Sequence, residues 1–145
     1  MSEAIGPNVL LVDDEEKFLN VLSQRLGTRG IHADTATSGE EAMAKVRNTN
    51  FDAVILDMMM PGMGGLETLK KIREQNPDVQ IIMLTGQGTI DKAVEAMKEG
   101  AIDFLEKPAE IEILMDKIEK AKEQKILLVM KNIEEKVKGL ISRRP

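Results

Sequence analysis

Carboxylates, a hydroxyl and an ammonium stand where the apolar runs of this chain stop. Asp13 and Asp14 follow Asn8-Val9-Leu10-Leu11-Val12, and Asp57 closes Asp52-Ala53-Val54-Ile55-Leu56. Thr85 follows the run ending at Leu84, and Lys107 follows Phe104-Leu105-Glu106. Three carboxylates within hydrogen-bond reach repel one another, so such a site is costly unless a hard cation sits among them. With oxygen ligands only, Mg²⁺ is the candidate, because it prefers one or two carboxylates, waters and phosphoryl oxygens. A divalent ion beside a carboxylate, a hydroxyl and an ammonium is equipment for phosphoryl transfer. No Walker lysine or glycine fingerprint is present to hold a nucleotide, so the acceptor could be a carboxylate of the protein itself, giving an aspartyl phosphate.

Composition removes other chemistries. The chain lacks Cys and has one His, His32, which excludes disulfides, thiolate zinc sites, a cysteine nucleophile and polyhistidine metal sites. Its three aromatics, Phe18, Phe51 and Phe104, leave almost nothing on which bases could stack, so no direct nucleic-acid contact is expected. Residues 1–7 carry neither a basic region nor an apolar stretch, and no apolar run approaches the roughly 20 residues that cross a bilayer. A soluble, cytoplasmic protein without membrane contact is expected.

The positioning elements follow from periodicity. Residues 8–12, 52–57 and 79–84 are continuous apolar runs suited to strands buried on both faces, and weaker extended stretches cover 31–36 and 101–105. Between them lie helical patterns. Phe18, Leu19, Leu22 and Leu26 mark the first, and Ser38 with Glu41 three positions on opens the second as a capping box. Leu66, Leu69 and Ile72 mark the third, stopped by Asn76-Pro77. Thr89 caps the fourth, whose inward residues are predicted as Ile90, Val94 and Met97, with Gly100 as its left-handed stop. Ile111, Leu114, Ile118 and Ala121 mark the fifth. Five strands alternating with five helices predict a doubly wound α/β fold with a parallel sheet in the order 2-1-3-4-5 and a crevice outside the strand C-termini.

Val12-Asp13-Asp14, Asp57-x-x-x-Pro61-x-x-x-Gly65, Leu84-Thr85-Gly86 and Phe104-x-x-Lys107-Pro108 stand in order on successive strand ends. On these marks residues 8–122 resemble the CheY-like receiver domain of two-component response regulators. The resemblance implies that Asp57 accepts a phosphoryl group from a histidine kinase or phosphotransfer protein. It further implies that Asp14, Asp57 and the backbone carbonyl of Met59 hold Mg²⁺, with Asp13 acting through water. Thr85 would hydrogen-bond the phosphoryl group, Lys107 would pair with its charge, Phe104 would change rotamer as the switch is thrown, and the Lys107-Pro108 bond would be cis. Such a domain is no enzyme toward outside substrates; it promotes only its own phosphorylation and dephosphorylation and passes the signal to a downstream protein. The rival reading is a phosphorylation-independent interaction or dimerisation module with the same fold.

Residues 1–122 are expected to form this domain and 123–145 a basic helical extension, serving as a coiled coil or linker. Thirteen basic residues face twenty-two acidic ones in the first 120 positions, against seven basic and three acidic in the last 25. In the extension Ile126, Met130, Ile133, Val137 and Leu140 recur at heptad spacing, a possible homodimer seam over residues 126–140. The seam is out of phase with the Ile111–Ala121 stripe. Either the helix breaks near residues 122–125 or it turns a new face outward. No helix-turn-helix or ATPase segment follows in the chain, so the output is expected to be protein contact, from either a stand-alone regulator or the N-terminal piece of a larger one.

Overall fold

Buried, β-branched runs build the sheet. The computed structural model describes residues 6–86 and 90–142, with β1 (Asn8–Val12), β2 (His32–Ala36), β3 (Ala53–Asp57), β4 (Ile81–Thr85) and β5 (Asp103–Glu106) pairing in parallel in the order β2-β1-β3-β4-β5. Val12 stands opposite Leu56, Asp57 opposite Leu84 and Thr85 opposite Glu106. β3 and β4 are buried along their whole length, which is why their sequences are continuous apolar runs rather than alternating ones.

Helices α1 (Glu16–Gly27), α2 (Gly39–Asn48), α3 (Gly65–Gln75), α4 (Ile90–Lys98) and α5 (Ile111–Ser142) connect and follow the strands. Leu10, Val54 and Met83 pack on one face with Val46 of α2, Ile72 of α3 and Ala96 of α4. Leu11, Ile55 and Leu84 pack on the other with Leu22 of α1 and Leu114 and Ile118 of α5. One half of the capping box at α2 is formed, Ser38 Oγ accepting from the Glu41 N–H at 3.1 Å, while the Glu41 carboxylate reaches past the cap to accept from the Thr37 N–H at 2.7 Å.

Two sequence-based expectations need correction. Ile90, Val94 and Met97 do not face inward; they are 45%, 48% and 39% exposed, while Ala93 and Ala96 are fully buried. The small side chains let α4 lie close on the sheet, and the large ones are left at the margins of its contact. The second and fifth strands also begin later than predicted, at His32 and Asp103. The preceding helices end by taking the Ile31 and Ala101 N–H groups onto the carbonyls of Leu26 and Ala96, so those residues belong to the helix terminus. Gly100, at φ +114°, is the left-handed stop that this ending requires. The predicted cap at Thr89 lies outside the described residues.

α5 runs unbroken through residues 122–125. Its 32 residues are about 48 Å long at 1.5 Å per residue, against about 17 Å for a five-residue strand, so its outer half must project past the sheet. Ile111, Leu114, Ile118 and Ala121 are buried, and beyond them the helix turns a new, exposed apolar face outward. No described helix is long and apolar enough to cross a membrane.

Candidate functional site

The parallel sheet delivers the C-termini of β1, β3, β4 and β5 to one edge, and with them Asp13 and Asp14, Asp57, Thr85 and Lys107. Ligand oxygens of Asp13, Asp14 and Asp57 lie within 4.8 Å of one another. Asp13 and Asp57 are buried and Asp14 is exposed, so the cluster has a wet side and a dry side. The Lys107 ammonium reaches in from β5, 2.7 Å from Asp13 Oδ2 and 3.5 Å from Asp57 Oδ1.

Electrostatics at this edge are unbalanced. Burial, and then the adjacent Asp13 charge, pushes the Asp57 carboxyl up from 3.8 to about 6, against the pull of Lys107 and of the Met59 N–H. Burial alone would draw the Lys107 ammonium down, but its hydrogen bond to Asp13 and the charges of Asp57, Asp13 and Glu15 hold it above the ordinary lysine value. One ammonium thus faces three carboxylates. An excess of negative charge with oxygen donors only fits a hard divalent cation such as Mg²⁺, which Asp13, Asp14 and Asp57 would hold.

Thr85 is fully buried, and its Oγ1 has no hydrogen-bond partner among the described residues. A buried hydroxyl without a partner is uncommon and points to a group that arrives later. Phe104 stands beside Met83 in the sheet register, so its ring shares the α4 side of the sheet with Thr85, where it packs half-buried against that core. The Met59 N–H donates to Asp57 Oδ1 over a long 3.4 Å, and the Met59 residue is 54% exposed. The Lys107-Pro108 bond is cis.

Two contributors, Phe18 and Glu15, escape a reading of the sequence, and a third, Gly65, is marked there as a motif position without its physical role. The Phe18 ring lies beneath the Lys107 ammonium, 4.7 Å from its centroid, a cation–π contact that helps fix the lysine. Phe18 is recognisable in the sequence as part of the α1 stripe, but nothing there shows which residue it faces. Glu15 adds a longer ion pair to Lys107 at 4.0 Å, and its N–H donates to Asp13 Oδ1 at 2.9 Å. Gly65 lets the loop after β3 close back on itself: a Cβ there would stand 2.3 Å from the Asp57 carbonyl oxygen.

Comparison with known proteins agrees with this geometry. The model of the family described as response regulator receiver domain matches residues 9–119. The transcriptional regulatory protein ZraR of Salmonella typhimurium is 39% identical over 114 residues, covering 79% of this chain and 26% of its own. The C4-dicarboxylate transport transcriptional regulatory protein DctD of Rhizobium meliloti is 37% identical over 127 residues, covering 88% of this chain and 27% of its own. The chain therefore spans about a quarter of the length of these curated relatives. Among solved structures, a response regulator receiver domain protein from Clostridium thermocellum superposes with a TM-score of 0.80 at 37% identity, covering 84% of this chain and 98% of that one.

Proposed function

The chain belongs to the response regulator receiver domains of two-component systems, and from that premise we propose that Asp57 accepts a phosphoryl group from a histidine kinase or phosphotransfer protein. The reading rests above all on one observation: a buried carboxylate beside a lysine, at a strand end flanked by a buried threonine hydroxyl with no partner among the described residues.

In the transfer, a carboxylate oxygen of Asp57 forms the new P–O bond as the donor's P–N bond breaks. The bonding electron pair leaves with the donor nitrogen. Lys107, held by Asp13 and by the Phe18 ring, keeps a positive charge at the acceptor as negative charge gathers on the phosphoryl oxygens. Asp13, Asp14, Asp57 and the Met59 carbonyl would hold Mg²⁺, which when bound supplies charge neutralisation and orientation of the phosphoryl oxygens. Thr85 donates its unused hydroxyl hydrogen to a phosphoryl oxygen. Its movement toward that oxygen frees space on the α4 side, into which the Phe104 ring turns, repacking the surface that a downstream protein reads. Water attacking phosphorus later returns the carboxylate, so the only reaction promoted is on the protein itself. Relatives named as transcriptional regulators leave DNA-linked output among the roles of a longer protein containing this domain.

Intact-mass measurement after incubation with acetyl phosphate and Mg²⁺ tests the reading. One added phosphoryl group is expected on the native chain and none on Asp57→Asn. Equal labelling of the two would overturn it.

A further inference from the structure

Four methionines stand in the six residues after Asp57, and the fold separates them. Met58 and Met60 join the core and Met63 lies against Gly39 of α2, whereas Met59 is left 54% exposed. Met59 lines a cavity of about 300 Å³ between the loop after β3 and α4, with Leu66 on one wall and Lys92 and Glu95 on the other. Across it the Lys92 ammonium donates to Met59 Sδ at 3.9 Å. A thioether is a weak acceptor. Lys92 makes no ion pair among the described residues, so its ammonium has no stronger acceptor to leave. The same methionine touches the reacting carboxylate through its backbone, since its N–H donates to Asp57 Oδ1 at 3.4 Å. A change in what the Met59 side chain binds therefore reaches the acceptor through a single residue.

We propose that Met59 is a peroxide-sensitive modification site, whose sulfoxide binds Lys92 and holds the domain in its unphosphorylated arrangement. The oxidation itself is independent of the phosphoacceptor reading, and its regulatory consequence rests on that reading. In the step, a lone pair on Sδ attacks one oxygen of hydrogen peroxide. The S–O bond forms as the O–O bond breaks, sulfur gives up two electrons, and the hydrogen of the transferred oxygen goes to the departing one, which leaves as water. Access selects the residue: Met83, in the sheet, is fully buried. The sulfoxide oxygen is a far stronger acceptor than the sulfur that carries it, and the Lys92 ammonium is already at hand, so a charge-assisted hydrogen bond replaces a weak contact. That bond bridges the loop after β3 to α4. Phosphorylation, in the function proposed above, repacks the α4 side around Thr85 and Phe104. A bridge made before transfer favours the arrangement in which it forms over the repacked one.

Treatment of the full chain with hydrogen peroxide, followed by peptide mass spectrometry and by phosphorylation from acetyl phosphate and Mg²⁺, tests both parts. In the folded chain residue 59 should gain one oxygen as readily as Met130, 61% exposed on the outer half of α5, and well before Met83. The oxidised chain should then reach a several-fold lower phosphoryl level, and the two methionine sulfoxide reductases, one for each sulfoxide epimer, should restore it. Each variant is compared with itself before and after peroxide. Met59→Leu should keep its own level, because no sulfoxide forms there. Lys92→Leu should keep its own level although residue 59 is oxidised, because the bridge lacks its donor. Residue 59 oxidised no faster than Met83, an oxidised native chain phosphorylated as before, a loss undiminished in Met59→Leu or in Lys92→Leu, or a loss that the reductases leave in place would overturn the proposal. Absence of phosphorylation before any peroxide is added would overturn instead the phosphoacceptor reading, together with the regulation that rests on it.

Discussion

The acidic pocket and the outer half of α5 lie at opposite ends of the sheet and depart from ordinary burial in opposite senses. At the C-terminal edge, Asp13 and Asp57 are charged groups inside the fold. Beyond the N-terminal edge, Ile133 and Leu140 are large apolar groups outside it. Neither arrangement is favourable for an isolated chain, because buried like charges repel and exposed apolar surface orders water. The first is relieved, in the function proposed above, by a cation and a phosphoryl group; the second is relieved by whatever covers the outer helix. The pocket is framed by strand ends and backbone, whereas Lys125 and Asn132 tie the outer helix to the loops before β3 and β4. Changes at the pocket should therefore alter stability and chemistry together, and changes on the seam should alter association alone.

The largest separation between the two regions is expected from Gly65→Ala. Its Cβ would press on the Asp57 backbone, and relief requires the loop after β3 to shift, at a cost of about 3 kcal/mol. Urea denaturation should show that loss, and phosphorylation should fall with it. Lys107→Met comes next. Removing the ammonium leaves two buried carboxylates without their partner, worth about 3 kcal/mol in chelator, and Mg²⁺ should restore much of it. A variant equally destabilised with and without Mg²⁺ would break the link between charge excess and cation.

A smaller effect is set by pH. The Asp57 carboxyl is raised from 3.8 in the unfolded chain to about 6 in the fold, so the folded state holds this proton more tightly. Below about pH 4 the group is protonated in both states and imposes no penalty. Between about pH 4 and pH 6 the metal-free protein should lose stability as pH rises, with the full penalty above that window. The difference in urea midpoint between the native chain and Asp57→Asn should trace this slope, and Mg²⁺ should flatten it. The smallest effect belongs to Phe18→Leu, which keeps apolar bulk but removes the ring beneath Lys107, about 1 kcal/mol of positioning. Phosphorylation from acetyl phosphate should slow several-fold while the melting midpoint moves little.

The sheet and most of the pocket were legible because they depend on local signals. A continuous apolar run ending in Asp is readable as a buried strand with a functional tip, and strand order follows from alternation and crossover handedness. The inward face of α4 was misread because hydrophobicity ranks Ile90, Val94 and Met97 above Ala93 and Ala96. Close packing on a sheet selects small residues instead, a tertiary constraint absent from the helix itself. The Phe18–Lys107 contact and the clearance at Gly65 are also tertiary, each joining residues whose proximity only the folded sheet creates. The seam of α5 was visible in its spacing, but whether the helix broke or continued was not. Continuity depends on anchors such as Lys125 to Phe51, which bridge distant parts of the chain.

Chemical trapping of the acceptor tests the central claim most directly. After incubation with acetyl phosphate, borohydride reduces an aspartyl phosphate to homoserine, and peptide mass spectrometry reads the converted position. Conversion is expected at residue 57, only when acetyl phosphate and Mg²⁺ are both present, and strongly reduced by Asp14→Ala. Conversion at another carboxylate, or at residue 57 with the same yield in chelator, would contradict the account.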